Sequence, residues 1–407
     1  MKRLVVIGGS GASTPELADA LVAWPGGAGR RPPLTVVLEG RTEAKLALVE
    51  GAFRARLARD DGPPVVVGSS TDLQTALEGA DVVLNQVRIG GLAARAFDES
   101  FPRAFGIPGE ETMGPGGFAN AVRTVPALAS TWEAVARHAP GALVVNLTNP
   151  SGIVVAVASR AFELPVVSVC DSPVALTEAV AARLDKPVAD VRSRYVGCNH
   201  AGWWVAGDAA ELDDVAGLAT GVDAEEVATV GALPAAYGRY YLAPGRIAAG
   251  QQGGPTRAEQ LQELEGRMLG AYAAGSGEAA PRRGAAWYPL AVVPLLDAWW
   301  NGSPVPEILG LVTDGSLPGI PSGVVVERAT SLAARGKLVP QPAPGLPPLP
   351  AAILSAHAAY EALVVEALST GASHRALVRA LAANPMVRDL DRAAGLVDTI
   401  LAGSPHG

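Results

Sequence analysis

The sequence predicts an α/β protein, in which a doubly wound parallel sheet is followed by an α+β domain. Residues 4–7 form a continuous apolar run, as expected of a strand buried on both faces. Similar short runs alternate with helical segments along the first half of the chain, at residues 34–38, 65–67, 82–84 and 142–145. This alternation favours parallel strands joined by helices, as in Rossmann-type domains. We expect an N-terminal domain of residues 1–195 and a C-terminal domain of residues 196–407.

A glycine-rich stretch directly follows the first predicted strand. Glycines there let backbone N–H groups approach a pyrophosphate at the start of a helix. We expect Thr14 to cap that helix and Pro15 to occupy its first position. Thr14 also stands where a third glycine would complete the usual fingerprint, so the motif alone is weakly specific. Glu39 ends the second predicted strand, where an acid binds the ribose hydroxyl of NAD and disfavours NADP, although nearby Arg41 weakens that preference. The predicted NAD-binding residues are Gly8, Gly9, Ser10, Gly11, Thr14 and Glu39.

Polar residues gather where the later predicted strands end. They include, in chain order, Arg88, Arg95, Glu110, Glu111 and Asn149. Each cluster alone is compatible with ordinary turn chemistry. Ligands of parallel sheets bind beyond the carboxyl ends of the strands, so polar clusters at successive strand ends favour a binding site there.

Cys170 and His200 bracket a predicted helix at residues 174–184 and a strand after it. A thiolate and a neutral imidazole suit a divalent transition ion, and a catalytic site would leave further positions open for substrate oxygens. A cysteine after the apolar run 166–169 is, however, most often a core residue. The spacing alone therefore favours the core interpretation.

Composition excludes several classes of partner. Lys and Arg total 32 against 40 acids, a net charge of −8, and no basic run is present, so we expect no nucleic-acid partner. The chain has no leader-like segment before the first strand and no uninterrupted apolar stretch of membrane-spanning length. We therefore expect a cytoplasmic protein without a membrane partner. Two cysteines do not make a disulfide framework.

An ordered set of motifs over nearly the whole chain resembles glycoside hydrolase family 4, the NAD- and manganese-dependent family of 6-phospho-β-glucosidases and 6-phospho-α-glucosidases. The most specific of these motifs are Arg88-x-Gly90-Gly91-x-x-x-Arg95, Glu111-Thr112-x-Gly114-Pro115-Gly116-Gly117, Thr148-Asn149-Pro150, Cys170-x-x-Pro173, Asn199-His200, Tyr237-x-Arg239-Tyr240-Tyr241 and Arg283-Gly284-Ala285.

The resemblance implies an unusual glycosidase that departs from the two-carboxylate mechanism. In such a reaction NAD takes a hydride from the sugar C3, a base removes the acidified C2 proton, the aglycone leaves, water adds and the ketone is reduced again. Cys170 and His200 match the metal ligands, and Mn²⁺ or another divalent ion would polarise the sugar oxygens. Tyr241 is the implied base, with Tyr240 as its neighbouring competitor.

The resemblance also implies the residues that bind the sugar. Glu111 and Asn149 would hold hydroxyls, and Arg95 and Arg283 would bind a 6-phosphate, for which bidentate guanidinium groups are suited. Arg88 could bind either substrate or a neighbouring carboxylate, and Asn199 is a further candidate for substrate binding. We expect a homodimer or homotetramer, because oligomers are typical of the family.

The anomeric preference is left open by the sequence. Asp171 follows the metal cysteine, where α-specific members usually carry Asp and β-specific members Asn, and it could act as an acid. Residues 149–152 and the short C-terminal half are more similar to β-type members, so we favour a 6-phospho-β-glucosidase. Trp203 and Trp204 follow His200 and either line the sugar site or fill core.

Several alternative functions remain. They are a family 4 α-glycosidase, a hydrolase of unphosphorylated glycosides and a 2-hydroxy-acid dehydrogenase of the lactate or malate type. The dehydrogenases share a similar nucleotide domain but use an Asp–His pair without a metal thiolate. A non-enzymatic sensor that binds NAD and sugar is a further possibility.

Overall fold

The computed structural model describes residues 1–333 and 336–403, and among them one mixed sheet forms the centre of the fold. Six neighbouring strands have the order β3-β2-β1-β4-β5-β6 and are parallel throughout, which is the doubly wound arrangement predicted from the sequence. These strands are β1 (Lys2–Ile7), β2 (Leu34–Glu39), β3 (Val65–Ser70), β4 (Val82–Asn85), β5 (Leu143–Asn146) and β6 (Val166–Ser168).

The C-terminal half continues the same sheet with antiparallel strands. After β6 the order is β10-β11-β7-β8-β9, and β12 pairs with β11. These strands are β7 (Tyr195–Cys198), β8 (Ala201–Trp204), β9 (Leu233–Pro234), β10 (Glu307–Val312), β11 (Val325–Ala333) and β12 (Lys337–Pro340). The boundary at residue 195 remains a prediction.

Helices cover both faces of the sheet. In the first half they are α1 (Pro15–Val22), α2 (Glu43–Leu57), α3 (Leu73–Leu77), α4 (Gly91–Ser100), α5 (Gly114–Ala127), α6 (Ala129–His138), α7 (Ser151–Phe162), α8 (Asp171–Leu184) and α9 (Val188–Arg192). In the second half they are α10 (Ala209–Val215), α11 (Ala224–Val230), α12 (Arg239–Leu242), α13 (Pro244–Gly250), α14 (Arg257–Ala273), α15 (Val293–Asn301), α16 (Pro348–Ser369), α17 (His374–Ala382) and α18 (Leu390–Gly403).

The first strand explains why the core has two parts. Successive side chains of a strand point to opposite faces, and Leu4 and Val6 pack into one apolar cluster while Val5 and Ile7 pack into another. A strand buried on both faces must therefore be apolar at every position. The expectation drawn from residues 4–7 is confirmed.

The long helix α16 is the main exception to the expectation about apolar stretches. By length and composition it is apolar enough to cross a membrane, but half of its most apolar 18-residue stretch is buried inside the fold. It packs against α7, α17 and β8. Those contacts are typical of a core helix in a globular protein.

Trp203 and Trp204 are fully buried. Trp204 donates through Nε1 to the carbonyl of Val191 at 3.0 Å, and Trp203 packs with Val230 and Ile353. The two indoles therefore fill core, which answers the question that the sequence left open.

Candidate active site

A cavity of about 890 Å³ lies along the carboxyl ends of β1, β2, β4, β5 and β6. The predicted site residues that line it are Gly8, Ser10, Gly11, Glu39, Arg88, Arg95, Glu111, Asn149, Cys170, Asp171, Asn199, His200 and Arg283. Ligands of parallel sheets bind at this edge. Motifs that are far apart in the chain thus meet in one cavity.

The glycine loop closes one end of the cavity. Gly8 has a φ of 79°, in the left-handed region that favours glycine. A Cβ on Gly9 would lie 2.8 Å from Leu38 Cα, so only glycine allows the loop to approach β2. The Gly9 N–H donates to the carbonyl of Glu39 at 2.6 Å, and the Gly8 N–H donates to the Glu39 carboxylate at 3.4 Å. Burial raises the pKa of Glu39, while the Gly8 N–H and Arg41 act in the opposite direction.

The expectation that Thr14 caps the first helix is wrong, whereas its assignment to NAD binding remains a prediction. Thr14 has helical dihedral angles, and its side chain caps no backbone N–H of α1. Its hydroxyl instead accepts a hydrogen bond from Gln86 Nε2 at 2.9 Å, and Tyr288 donates to Gln86 Oε1 at 2.7 Å. Thr14 is fully buried and ties the loop to the end of β4, while Pro15 begins the helix as expected.

Helix α14 forms a wall of the nucleotide end of the cavity. The sequence predicts an amphipathic helix over residues 257–273, and α14 has these bounds, with a capping box of Thr256 and Glu259 at its start. Its apolar side chains Leu261, Leu264 and Met268 line the cavity. The apolar face of this amphipathic surface helix therefore forms part of the cavity wall.

Cys170 and His200 reach the cavity from two different turns. Cys170 is the N-cap residue of α8, and His200 lies in the turn between β7 and β8 with a φ of 62°. Burial lowers the pKa of His200 to about 4, so the imidazole is neutral at neutral pH. Burial raises the pKa of the Cys170 thiol well above its ordinary value, as do the nearby Glu327 and Asp171 carboxylates, while a hydrogen bond from Asn199 lowers it.

The donor set fits a divalent ion that completes its coordination with substrate or water. A neutral imidazole and a cysteine sulfur are ligands that such ions accept. Among residues 1–333 and 336–403, no group of three or more His, Cys, Asp or Glu side chains is arranged to hold a metal. A metal held by Cys170 and His200 alone would keep open positions, as catalytic sites require.

Three guanidinium groups surround one carboxylate next to this pair. Glu111 accepts hydrogen bonds from Arg88, and Arg95 Nη1 lies 2.8 Å from Glu111 Oε1. Burial opposes ionisation of Glu111, but the two arginines outweigh burial and hold its pKa at about 2. Burial and repulsion from Arg88 and Arg95 lower the pKa of Arg283 to about 10. Arg95 is also bound to Glu99, and all three guanidinium groups line the cavity, where they could contact an anionic ligand.

Tyr241, the residue expected to be the base, points away from the cavity. Its hydroxyl lies 2.7 Å from His357 Nδ1, and its ring packs against buried apolar residues. Tyr237 lines the cavity, and its ring stacks on His200 with centroids 3.9 Å apart. Tyr240 is buried behind Tyr237, with ring centroids 6.2 Å apart. Tyr237 is therefore the tyrosine placed beside the candidate metal ligands.

Two buried carboxylates support the candidate ligands, and no individual role was predicted for either from the sequence. Glu110 bonds Thr112, whose hydroxyl lies 2.7 Å from His200 Nδ1. Glu327 accepts from Asn199 Nδ2 at 2.8 Å. Burial raises the pKa of each of these carboxyls to about 7, and Glu111 adds to the shift of Glu110. The acidic glycine-rich loop was a signal for Glu110, whereas Glu327 lies within β11 and carries no local signal.

Comparison with known proteins agrees with this geometry. The profile described as "Family 4 glycosyl hydrolase" matches residues 5–186, and the profile of the C-terminal domain of the same family matches residues 195–387. A relative from Bacillus subtilis, a probable 6-phospho-β-glucosidase, is 29% identical over 98% of this chain and 95% of its own length.

Two solved structures share the fold. The 6-phospho-β-glucosidase of Thermotoga maritima, solved with NAD and glucose 6-phosphate, is 25% identical with a TM-score of 0.84 and covers 98% of both chains. A 6-phospho-α-glucosidase from gut microorganisms, solved with NAD and Mn²⁺, is 20% identical with a TM-score of 0.84, covering 98% of this chain and 97% of its own. The two profiles together span most of the sequence, and the chain belongs to family 4 of the glycosyl hydrolases.

Proposed function

We propose that this protein is an NAD- and divalent-metal-dependent glycosidase that hydrolyses 6-phospho-β-glucosides. The observation that carries the proposal is the single cavity in which the glycine loop, the Cys170–His200 pair and the arginine cluster meet. The B. subtilis relative, which matches over nearly its full length, and the T. maritima structure are both named as 6-phospho-β-glucosidases, and they support the choice of a β-glucoside substrate.

The nucleotide end of the cavity suits NAD. The backbone of the glycine loop is free to approach a pyrophosphate, and the carboxylate of Glu39 lies where it can accept a ribose hydroxyl. When bound, NAD would accept and return a hydride at the sugar C3, and Mn²⁺ or a similar ion held by Cys170 and His200 would polarise the sugar O2 and O3.

The residues of the chain then supply orientation and proton transfer. Arg95 and Arg283, with Arg88, would hold the 6-phosphate and thereby place the sugar ring. Asn149 and Glu111 would hold ring hydroxyls. Tyr237 is the proposed base for the C2 proton, in place of Tyr241, because its ring lies against His200 at the cavity wall. Burial raises the pKa of Tyr237, and a cation beside His200 would act in the opposite direction.

A 6-phospho-α-glucosidase is a second candidate, favoured by one observation. Asp171 lines the cavity next to Cys170 and could protonate a leaving group there. The dehydrogenase alternative is disfavoured by the surroundings of His200, because its Nδ1 faces the hydroxyl of Thr112 where those enzymes have a carboxylate.

The test is release of 4-nitrophenol from α- and β-glucoside 6-phosphates and from the two unphosphorylated glucosides, with NAD and Mn²⁺ each present or omitted. We expect cleavage of the β-glucoside 6-phosphate that needs both cofactors and produces no net NADH. Preference for the α-substrate would establish the second candidate. Cleavage without NAD, or net NADH formed from a 2-hydroxy acid, would contradict both.

The family resemblance further supports a homodimer or homotetramer. Light scattering on the eluting protein should give two or four times the chain mass of 41.4 kDa. A monomer would contradict this expectation without affecting the proposed chemistry.

A further inference from the structure

The His200 imidazole is fixed through its Nδ1 by a relay of two residues. Glu110 Oε2 accepts from three donors, which are the Thr112 hydroxyl and the backbone N–H groups of Thr112 and Met113. The Thr112 hydroxyl has one proton, and that proton is committed to Glu110. Because Thr112 Oγ1 also lies 2.7 Å from His200 Nδ1, the imidazole must donate this bond. The neutral ring therefore keeps its free lone pair on Nε2.

The Cys170 sulfur has a comparable relay. Glu327 Oε1 accepts from Asn199 Nδ2 at 2.8 Å, and Glu327 Oε2 accepts from the Tyr195 hydroxyl at 3.3 Å. The Asn199 amide therefore has its NH₂ group towards Glu327, whose ionised form only accepts hydrogen bonds. The side chain of Asn199 lines the same cavity as Cys170. The Nδ2 group held next to Glu327 keeps a second N–H that can serve the Cys170 sulfur.

The backbone at His200 shows how tightly the surroundings hold this residue. A φ of 62° is unfavourable for a residue with a Cβ and persists only where neighbouring contacts impose it. The β7–β8 pairing on either side, the stacked ring of Tyr237 and the bond to Thr112 are those contacts. The orientation of the imidazole is therefore set before any ligand binds.

We propose that Glu110, through Thr112, and Glu327, through Asn199, are positioning residues of the metal site. Glu110 selects the His200 tautomer that leaves Nε2 free for a metal, and Glu327 orients the amide that supports the Cys170 thiolate. This inference rests on the proposed metal-dependent function and assigns Asn199 a supporting role in place of the substrate contact expected from the sequence. Outer partners of this kind typically change metal affinity by about 10–100-fold when they are removed.

The first test compares Co²⁺ binding by the full-length wild type, Thr112→Val and Thr112→Ser. Cobalt is followed by its sulfur-to-metal absorption band, with NAD and glucose 6-phosphate present. Valine keeps the shape of threonine but cannot relay a hydrogen bond, so we expect affinity to fall by about 10–100-fold. Serine keeps the hydroxyl and should restore affinity. Thr330→Val is the matched control, because that buried hydroxyl donates to the carbonyl of Arg328, away from the ligands.

A second variant tests the cysteine arm and does not depend on the stability of the Thr112 variants. Glu327→Gln offers an N–H at one of the two positions where Tyr195 and Asn199 now donate. We expect a weaker or shifted sulfur-to-cobalt band together with weaker binding. If the wild type and all variants bind Co²⁺ equally, the inference is overturned and the proposed function stands. If the wild type binds neither Co²⁺ nor Mn²⁺, the proposed function fails and the inference falls with it.

Discussion

Replacing Tyr237 and Tyr241 in turn by phenylalanine separates the proposed base from a structural residue. Both changes remove one hydroxyl and keep the ring. No hydrogen bond to the Tyr237 hydroxyl is formed within residues 1–333 and 336–403, whereas the buried Tyr241 hydroxyl lies 2.7 Å from His357 Nδ1. A positioned general base contributes about 10²–10⁴-fold to the rate, or roughly 3–5 kcal/mol of the barrier at 1.36 kcal/mol per tenfold. A buried polar group left without its partner costs about 1–3 kcal/mol of folding stability.

We therefore expect Tyr237→Phe to lower kcat by about 10²–10⁴-fold without changing the free energy of unfolding. Tyr241→Phe should lower the free energy of unfolding by about 1–3 kcal/mol while the folded enzyme keeps most of its kcat. Steady-state release of 4-nitrophenol from the preferred 6-phosphoglucoside and urea unfolding measure the two quantities. The opposite pattern, with kcat lost in Tyr241→Phe and retained in Tyr237→Phe, would refute the assignment.

Three further predictions concern the phosphate, the nucleotide and pH. Arg283→Met should lower kcat/KM for the phosphorylated substrate by about 10–100-fold, as expected for the loss of a hydrogen bond to a charged group, and should leave kcat/KM unchanged for any unphosphorylated glucoside that is cleaved. An equal loss of kcat/KM on both substrates would place Arg283 away from the phosphate. Glu39→Ser should weaken NAD binding and reduce the preference for NAD over NADP, because Arg41 and Lys45 line that end of the cavity. Titration of tryptophan fluorescence with each nucleotide measures both affinities, and an unchanged preference would argue against the role of Glu39. The pKa of Glu327 is raised from 4.5 to about 7, so its contribution to stability is present below pH 4.5 and is lost as the pH rises through about 7. In urea unfolding of the metal-free protein, Glu327→Gln should make the free energy of unfolding fall less over this pH range. The same pH dependence in wild type and variant would contradict the raised pKa of Glu327.

Much of the nucleotide half could be predicted because its signals are local. A strand buried on both faces must be apolar throughout, so residues 4–7 and 82–84 were identifiable as strands. Helix α14 has an apolar stripe that is interrupted only by Glu265, and its bounds agree with the helix predicted over residues 257–273. Short strands with few flanking signals were harder, and β8 and β10 were not identified. Each also pairs with a strand that is remote in the sequence, since β8 pairs with β9 and β10 pairs with β6.

The site was predictable where chemistry is carried by a motif and not where it depends on side-chain direction. Cys170, His200 and the arginines follow turns that the fold brings to one edge. Tyr237, Tyr240 and Tyr241 lie within five residues of each other. Only the packing of α12 and of the residues just before it decides that Tyr237 faces His200 and Tyr241 faces His357. Glu327 is an acid inside a strand, and its role depends on the pairing of β11 with β7. No local pattern could have disclosed that contact.

The most direct test of the account is to let the wild-type enzyme cleave its preferred 6-phosphoglucoside in D₂O and to examine C2 of the released glucose 6-phosphate by proton NMR. Removal of the C2 proton by Tyr237 and its later replacement from solvent predict deuterium at C2 in the product, with NAD and Mn²⁺ required and no net NADH formed. Efficient cleavage that leaves the original proton at C2 would contradict the account, because an ordinary two-carboxylate glycosidase never breaks that bond.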